Sequence, residues 1–488
     1  MCREGKVQEA YELAKADMSA MSSYPWVQRE MGWALYYMIK NDVDVGNLGK
    51  LLEHLDELKS LNLLTIESDS MIFNNVQFKI AEFIKNHVFL NDTDLHSKLS
   101  IIFSKLKDYS FQSSKGHSFM LQSYIKFEAW PEMADFIDWW NFDNLTPDDF
   151  IPYVNHNGKK MLALAERAYI AYSKALLKLH DPERIELFLP KLDALSNNHK
   201  EMIYLGYYYG KLLLSLGSNV NEALSVIIPF ARRKMSEFWV WQLLSEVFIY
   251  DEEKKLACLL RAVNCHTQES FLGKVRIKLA DLYIKQMHFD LARYQIDTVA
   301  NCYVSHGWHL PNEIDNWMHQ PWYSTTVSNG RDTIDYKSIT DEILCDGAEE
   351  SLAVVTYVDK TSNKSSMIYG CKLRICQKLH FKVSVGNVLK LHYITESDGR
   401  VKVLSAVRTQ LIINLNYAKI VEGAINKRDD RDFAFLNLKS INCFIAPTIV
   451  MKYHLKNGDN VKGLIVYDYN RKKNKWNWVC VNVISKRR

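Results

Sequence analysis

The hydrophobic period changes once along this chain of 488 residues, and that change limits the folds open to it. Up to about residue 300, apolar side chains recur at i, i+3, i+4 and i+7, the period of a helix with one buried face. From Glu350 the period becomes two: Leu352, Val354, Thr356 and Val358 share one strand face, and Ala353, Val355 and Tyr357 the other. One core cannot serve both patterns, and a prior of ~100–200 residues per domain suggests three or four units. The expected class is therefore an α + β multidomain chain. Helical hairpins stacked as an N-terminal α-solenoid occupy 1–300, an aromatic-rich connector 301–347, and two small β-barrels 348–410 and 417–488.

Charge follows the same division. Tyr417–Arg488 holds fifteen Lys and Arg against six Asp and Glu, a net +9. Ala348–Gln410 holds ten against five, a net +5, so a total of +4 leaves −10 for the rest. A basic end on an acidic body points to a polyanion partner. Hydrophobic residues at 48% and charged residues at 24% are ordinary globular values. No run of ~18 apolar residues predicts a membrane-spanning helix, and Met1–Gly5 is not the start of a signal peptide. Nine cysteines are scattered with no CxxC pair, which suits a reducing cytoplasm, and most read as small buried hydrophobes. No cofactor is expected. The chain opens inside what reads as a helical hairpin, so a further helix is expected upstream of Met1.

The helical part carries start signals such as Thr146-Pro147-Asp148-Asp149, an N-cap hydroxyl, a proline at the first helical position and acids in the first turn. It also carries a repeat. Trp241, Leu244, Ser245, Phe248 and Ala257 are followed, 35 residues on, by Leu279, Ala280, Tyr283 and Ala292 at the spacing of the last four. A small residue lets a paired helix approach, an aromatic one turn later fills the space beside it, and the Ala completes the contact. This pattern resembles the tetratricopeptide repeat over 241–300. Gly5 with Ala10, then Met31, Gly32 and Leu35, extend it to the start of the chain. Gly210, Leu213 and Ala223 fit with one inserted residue, whereas between about 45 and 200 only helical pairs are legible. The resemblance implies a concave surface for a protein partner. Trp130, Phe136, Trp139, Trp140, Phe142 and Phe150 read as core packing between irregular helices. In the connector, Trp308, Trp317, Trp322 and Tyr323 are expected to pack on the last hairpin.

In the first barrel, turns are expected at Asp359–Lys364 and Glu396–Arg400, and Phe381–Val388 reads as a turn entering a strand. Lys372, Arg374, Lys378 and Lys382 contribute charge. In the second, strands are legible at Lys419–Lys427, Phe433–Leu436, Asn442–Ala446, Asn460–Asp468 and Lys475–Ile484, with a short helix at Pro447–Tyr453. Phe433 and Phe435 share a strand face, and Phe444 is placed on the next strand. Lys427, Arg428 and Arg431 precede the pair, while Arg471, Lys472, Lys473 and Lys475 fill the last hairpin. Flat exposed rings with nearby cations are what stacked bases and their phosphates need.

The segments Phe433–Leu436, Cys443–Pro447 and Leu455–Gly463 resemble the RNA-binding cold-shock-like domain of transcription terminator Rho, over about Val421–Val483. The resemblance implies a base-stacking face of Phe433, Phe435 and Phe444, extended from the last strand by Trp476 or Trp478. Ala434 replaces the family's middle Gly. Asn437 stands where the family often has Arg, which argues against cytosine-like selectivity. No GxxxxGK[ST] loop occurs, so the chain is not a Rho motor. Val385–Lys390 parallels Asn457–Lys462, which makes the first barrel a degenerate duplicate without the aromatic pair. Helical repeats followed by tandem OB or cold-shock-like barrels are also similar to tetratricopeptide proteins of bacterial conflict systems of the TOTE type, a resemblance that implies defence.

Catalytic signatures such as GxSxG, HExxH and GxGxxG are missing from the sequence. His306 and His309 sit in the connector and read as structural. Asp135, Asp138, Asp143, Asp148 and Asp149 read as caps and a solvated face. The leading expectation is a non-enzymatic adaptor that holds single-stranded RNA or DNA, RNA favoured, in its barrels and a protein partner on its helices. The rivals are a protein-interaction scaffold without nucleic acid and a subunit of a nuclease complex built on Asp135 and Asp138.

Overall fold

A computed structural model describes every residue except 62, 64–66, 155–156, 218–219, 360, 363, 371–372, 380, 396–398, 411–413, 439–440, 471–473 and 488. The chain forms two compact units, Met1–Phe230 and Ala231–Arg488.

The first unit is built of helical pairs. Pro25–Val45 shows why such segments are helices: Pro25 opens it, and Val27, Met31, Ala34, Leu35, Ile39 and Val43 line one buried stripe. Gly46, at φ 72°, closes it with its N–H on Asp42 and Val43 carbonyls. Close pairing needs small residues. A Cβ on Gly210 would meet Ile227 Cγ1 at 2.3 Å, so the helices Tyr204–Ser215 and Val220–Arg233 touch there only because Gly210 has none. Trp130, Phe136 and Trp140 are fully buried in the core of this unit, with Trp139, Phe142 and Phe150 packed against it. The Thr146 signal yields a four-residue 3-10 turn, Pro147–Phe150, rather than an α-helix. A two-residue ladder joins β1 (Tyr153–Val154) to β2 (Lys160–Met161).

The second unit begins with the hairpins Phe238–Val247/Glu252–Val263 and Glu269–Lys285/Phe289–Ser305. The residues of the sequence repeat, from Trp241 to Ala292, are all buried in them. The connector is ordered. It folds into the helices Asn312–Met318, Pro321–Thr325 and Tyr336–Cys345. Trp317, Trp322 and Tyr323 pack against Ile296, Val299 and Ala300 of the last hairpin, while Trp308 stacks on His306 at 4.5 Å. Each of these helices is too short for a periodic stripe to be legible.

Two antiparallel-rich sheets follow. The first runs β5-β4-β3-β6-β7, from β3 (Glu349–Val358), β4 (Lys364–Tyr369), β5 (Leu373–Lys378), β6 (Val388–Thr395) and β7 (Val401–Arg408). Its interior holds Ala353, Val355, Met367, Tyr369, Leu389 and Leu391. The second contains β8 (Asn414–Leu415), β9 (Ala418–Asn426), β10 (Ala434–Asn437), β11 (Asn442–Ile445), β12 (Asn460–Asn470) and β13 (Lys475–Arg487). It closes as β9-β10-β11-β13-β12-β9, with β11 and β13 parallel and the helix Pro447–Lys452 between β11 and β12. That is a five-stranded OB barrel.

The barrels pack on each other. Val354 and Ile368 on the outer face of the first meet Ala418, Leu464, Val466 and Val481 of the second. Tyr417 donates its hydroxyl to the Leu352 carbonyl at 2.6 Å, and Arg374 pairs with Asp468 at 3.4 Å. Gly386, at φ 87°, lies so close that a Cβ would meet Asn482 Cβ at 2.6 Å.

Candidate nucleic-acid interface

Alternation decides which residues of β10 and β11 face out. Ala434 and Leu436 point into the barrel beside Cys443 and Ile445, so Phe435 and Phe444 point outward. Register pairs Phe435 directly with Phe444, and Phe433 lies just before β10. The three rings form one group, with centroids 5.7 Å (Phe433–Phe435), 5.7 Å (Phe433–Phe444) and 6.0 Å (Phe435–Phe444) apart. All three are half-buried. Their planes are inclined by 88°, 44° and 70°, so each ring offers its own face instead of one continuous sheet. The Arg431 guanidinium covers the Phe433 ring at 5.3 Å, a cation–π contact. Ala434, standing for the expected Gly, is fully buried and packs the core.

The loop between β9 and β10 carries Lys427, Arg428 and Arg431, but also Asp429, Asp430 and Asp432. Its charges cancel, and Arg431 leans toward Asp430 at 3.9 Å. The +9 of this barrel therefore resides elsewhere, in residues such as Lys419, Lys462 and the exposed Lys475 at the head of β13. Arg471, Lys472 and Lys473, like Lys372 of the first barrel, lie outside the described residues.

Trp476 and Trp478 do not extend the phenylalanine face. Phe444 pairs with Val479 and Ile445 with Cys480, so Trp478 shares the Cys480 side of β13 and Val479 the Phe444 side. The tryptophans instead join Tyr467 and Tyr469 of β12, with Tyr467–Trp476 at 5.9 Å, Tyr467–Trp478 at 5.4 Å and Tyr469–Trp476 at 5.5 Å. Lys419 stands over Trp478 at 4.7 Å. Among the described residues no ring of this group meets the phenylalanines. Tyr467 and Tyr469 were legible in principle, since they alternate opposite Trp478 and Trp476 across the hairpin.

The turn into β12 has a local logic. Gly458 adopts φ 83° and donates its N–H to the Ile425 carbonyl at 2.9 Å, which anchors the turn to β9. The Asp459 carboxylate accepts from Lys456 N at 2.6 Å and pairs with Lys486 at 2.7 Å. Asn457 accepts from Lys427 N at 3.1 Å, which fixes the start of the charged loop. A Cβ on Gly463 would meet Cys480 Sγ at 3.0 Å, at a bulge of β12. In the first barrel Gly386 repeats the positive φ, and Asn387 accepts from Ser384 N at 2.8 Å.

The acidic cluster of the helical part is engaged in the fold. Asp135 and Asp138 both pair with Arg184, and Asp138 also accepts from Tyr172. Asp149 is buried and accepts from Thr146 N at 2.8 Å, Thr146 Oγ1 at 2.9 Å and Ser118 Oγ at 2.8 Å. His306 turns its Nδ1 to the Cys302 carbonyl at 2.8 Å, and His309 is exposed. No helix among the described residues is long and apolar enough to cross a membrane.

Residues 419–483, from β9 to β13, match the S1/CSD-like domain 2 of the TOTE conflict systems. Residues 203–342 match a domain of unknown function, DUF7017. No curated protein matches the chain.

Proposed function

We propose that the second barrel binds single-stranded nucleic acid, RNA in preference to DNA, by stacking bases on Phe433, Phe435 and Phe444. The gathering of these rings on the outer face of β10 and β11 carries the reading, because OB barrels take oligonucleotides on the faces of their second and third strands. The similarity of 419–483 to an S1/CSD-like domain of conflict systems supports it and suggests a role in bacterial defence. The helical hairpins, read as tetratricopeptide-like, would hold a protein partner. The chain would thus act as an adaptor rather than an enzyme, a reading consistent with the pairing of Asp135 and Asp138 to Arg184.

Fluorescence anisotropy with single-stranded RNA and DNA oligomers of one sequence tests this. Affinity should fall with salt at a log–log slope of roughly 0.7 per phosphate contacted. The pair Phe433→Ala and Phe435→Ala should weaken it by about 1–3 kcal/mol per lost stack. Unchanged binding in that pair would rule out stacking on this face. Pull-down after nuclease treatment separates the scaffold alternative, which requires barrel-dependent complexes free of nucleic acid.

A further inference from the structure

The first unit holds a basic groove inside an acidic body. It has a volume of about 370 Å³ and lies between the helices Glu67–His87 and Lys115–Tyr124, lined by Phe78, Glu82, Lys85, Phe119, Gln122 and Lys126 among others. Phe119 is 53% exposed, its ring 5.1 Å from that of Phe78, so the floor is an open aromatic pair. Lys85 and Lys126 are exposed. Arg167, on the helix Leu164–Leu179, is close enough to act on Lys126, and its buried Nη1 has no hydrogen-bond partner among the described residues. Among the described residues none of these three cations has an acidic partner, and the carboxylate in the lining, Glu82, is taken by Lys79 at 2.6 Å, which leaves the cations in excess.

We infer that this groove docks an acidic peptide segment of a partner protein, an apolar side chain resting on Phe78 and Phe119 and carboxylates meeting Lys85 and Lys126. This rests on the reading of the helices as partner-binding. Clustered cations without a counter-charge repel one another, and an incoming carboxylate relieves that repulsion. Lys126 registers it: partial desolvation, then the charges of Arg167 and Lys85, lower its pKa. A nucleic-acid strand fits less well. Its phosphates need cations along a track, whereas these sit in one cluster on the part of the chain that sums to −10. An aromatic floor with the side-chain amides of Asn86 and Gln122 suits a peptide.

Selection of a random-peptide display library on the full chain tests this, followed by anisotropy with the enriched peptides. Enriched peptides should carry clustered Asp or Glu beside an aromatic or aliphatic residue. Their affinity should drop about tenfold or more in the variant Lys85→Glu/Lys126→Glu, as for charge pairs at an interface. Phe119→Ser, at an exposed position, should weaken the same peptides, and both variants should keep the parent melting temperature. Enriched peptides that lack acids and ignore the charge reversals would overturn the groove assignment and leave the partner reading standing. A selection that enriches nothing would overturn both. Loss of single-stranded RNA binding in Lys85→Glu/Lys126→Glu, with peptide binding intact, would make the groove a polyanion site and also refute the inference.

Discussion

The side-chain amide of Gln377 donates to the Val403 carbonyl and accepts from the Val403 N–H, each at 3.2 Å. Gln377 lies on β5 and Val403 on β7, the two edges of the first sheet, so one side chain spans a seam that no backbone ladder closes among the described residues. Counted along each barrel, this is the junction of third and fifth strands. In the second barrel the same junction is the parallel pairing of β11 with β13 at Phe444–Val479 and Ile445–Cys480. The two barrels thus share a strand order and differ in how the last seam is made.

Replacing Gln377 by Leu should leave both backbone groups of the buried Val403 without this partner, at about 1–3 kcal/mol each. Thermal melting of Gln377→Leu should fall clearly below the parent. Gln377→Glu retains the acceptor and loses the donor, so it should fall between the two. Equal melting of all three would mean that the seam is held by packing alone.

Phe444→Ala and Trp476→Ala should separate binding from stability. Phe444 is half-buried on the proposed stacking face, so its loss should weaken RNA binding by roughly 1–3 kcal/mol, as expected for one stacked base. Trp476 packs against the apolar layer between the barrels. Its loss should lower the melting temperature, at a cost of about 3 kcal/mol as for large-to-small aromatic changes. Anisotropy and calorimetry on both variants provide the comparison.

Neutralising the acids of the β9–β10 loop should strengthen binding. Asp430→Asn/Asp432→Asn leaves Lys427, Arg428 and Arg431 with only Asp429. Affinity for single-stranded RNA at low salt should rise about tenfold, mostly in the association rate. The gain should vanish at ~1 M salt, where the Debye length is about 3 Å.

Glu166 offers a pH test of the helical unit. It is buried, and desolvation pushes its carboxyl up to about 6 against a backbone hydrogen bond from Tyr204 N that lowers it. Below pH ~4.5 the group is protonated in both folded and unfolded chains. As pH rises toward about 6 the unfolded chain ionises it first, so its stabilising contribution is lost across that window and it opposes folding at neutral pH. Glu166→Gln should therefore stabilise the protein at pH ~7 by up to roughly 2 kcal/mol, with the gain shrinking to nothing by pH ~4. Denaturant melts at both pH values measure it. A gain independent of pH would exclude ionisation as its cause.

The sequence by itself determined the helix-to-strand division, the buried positions of the hairpins from Trp241 to Ala292, and the turn at Gly458-Asp459. Each follows from a local property: a period, a helix-facing small residue, or a backbone that must adopt positive φ. The outward pairing of Phe435 was legible from alternation alone, since Ala434 and Leu436 had to face the core. Only the tertiary structure decided what lies beside what. Trp478 turns to the barrel core because the parallel register with β11 sets Val479, not a tryptophan, next to Phe444, and Trp476 packs into the layer between the barrels. The connector helices take their place from Trp317 and Trp322 packing on the preceding hairpin, which no short segment can announce. Barrel closure, whether by a strand pair or by Gln377, joins residues far apart in the chain. Local patterning is blind to such joins, because their free energy comes from long-range pairing and not from the residues' own conformational preferences.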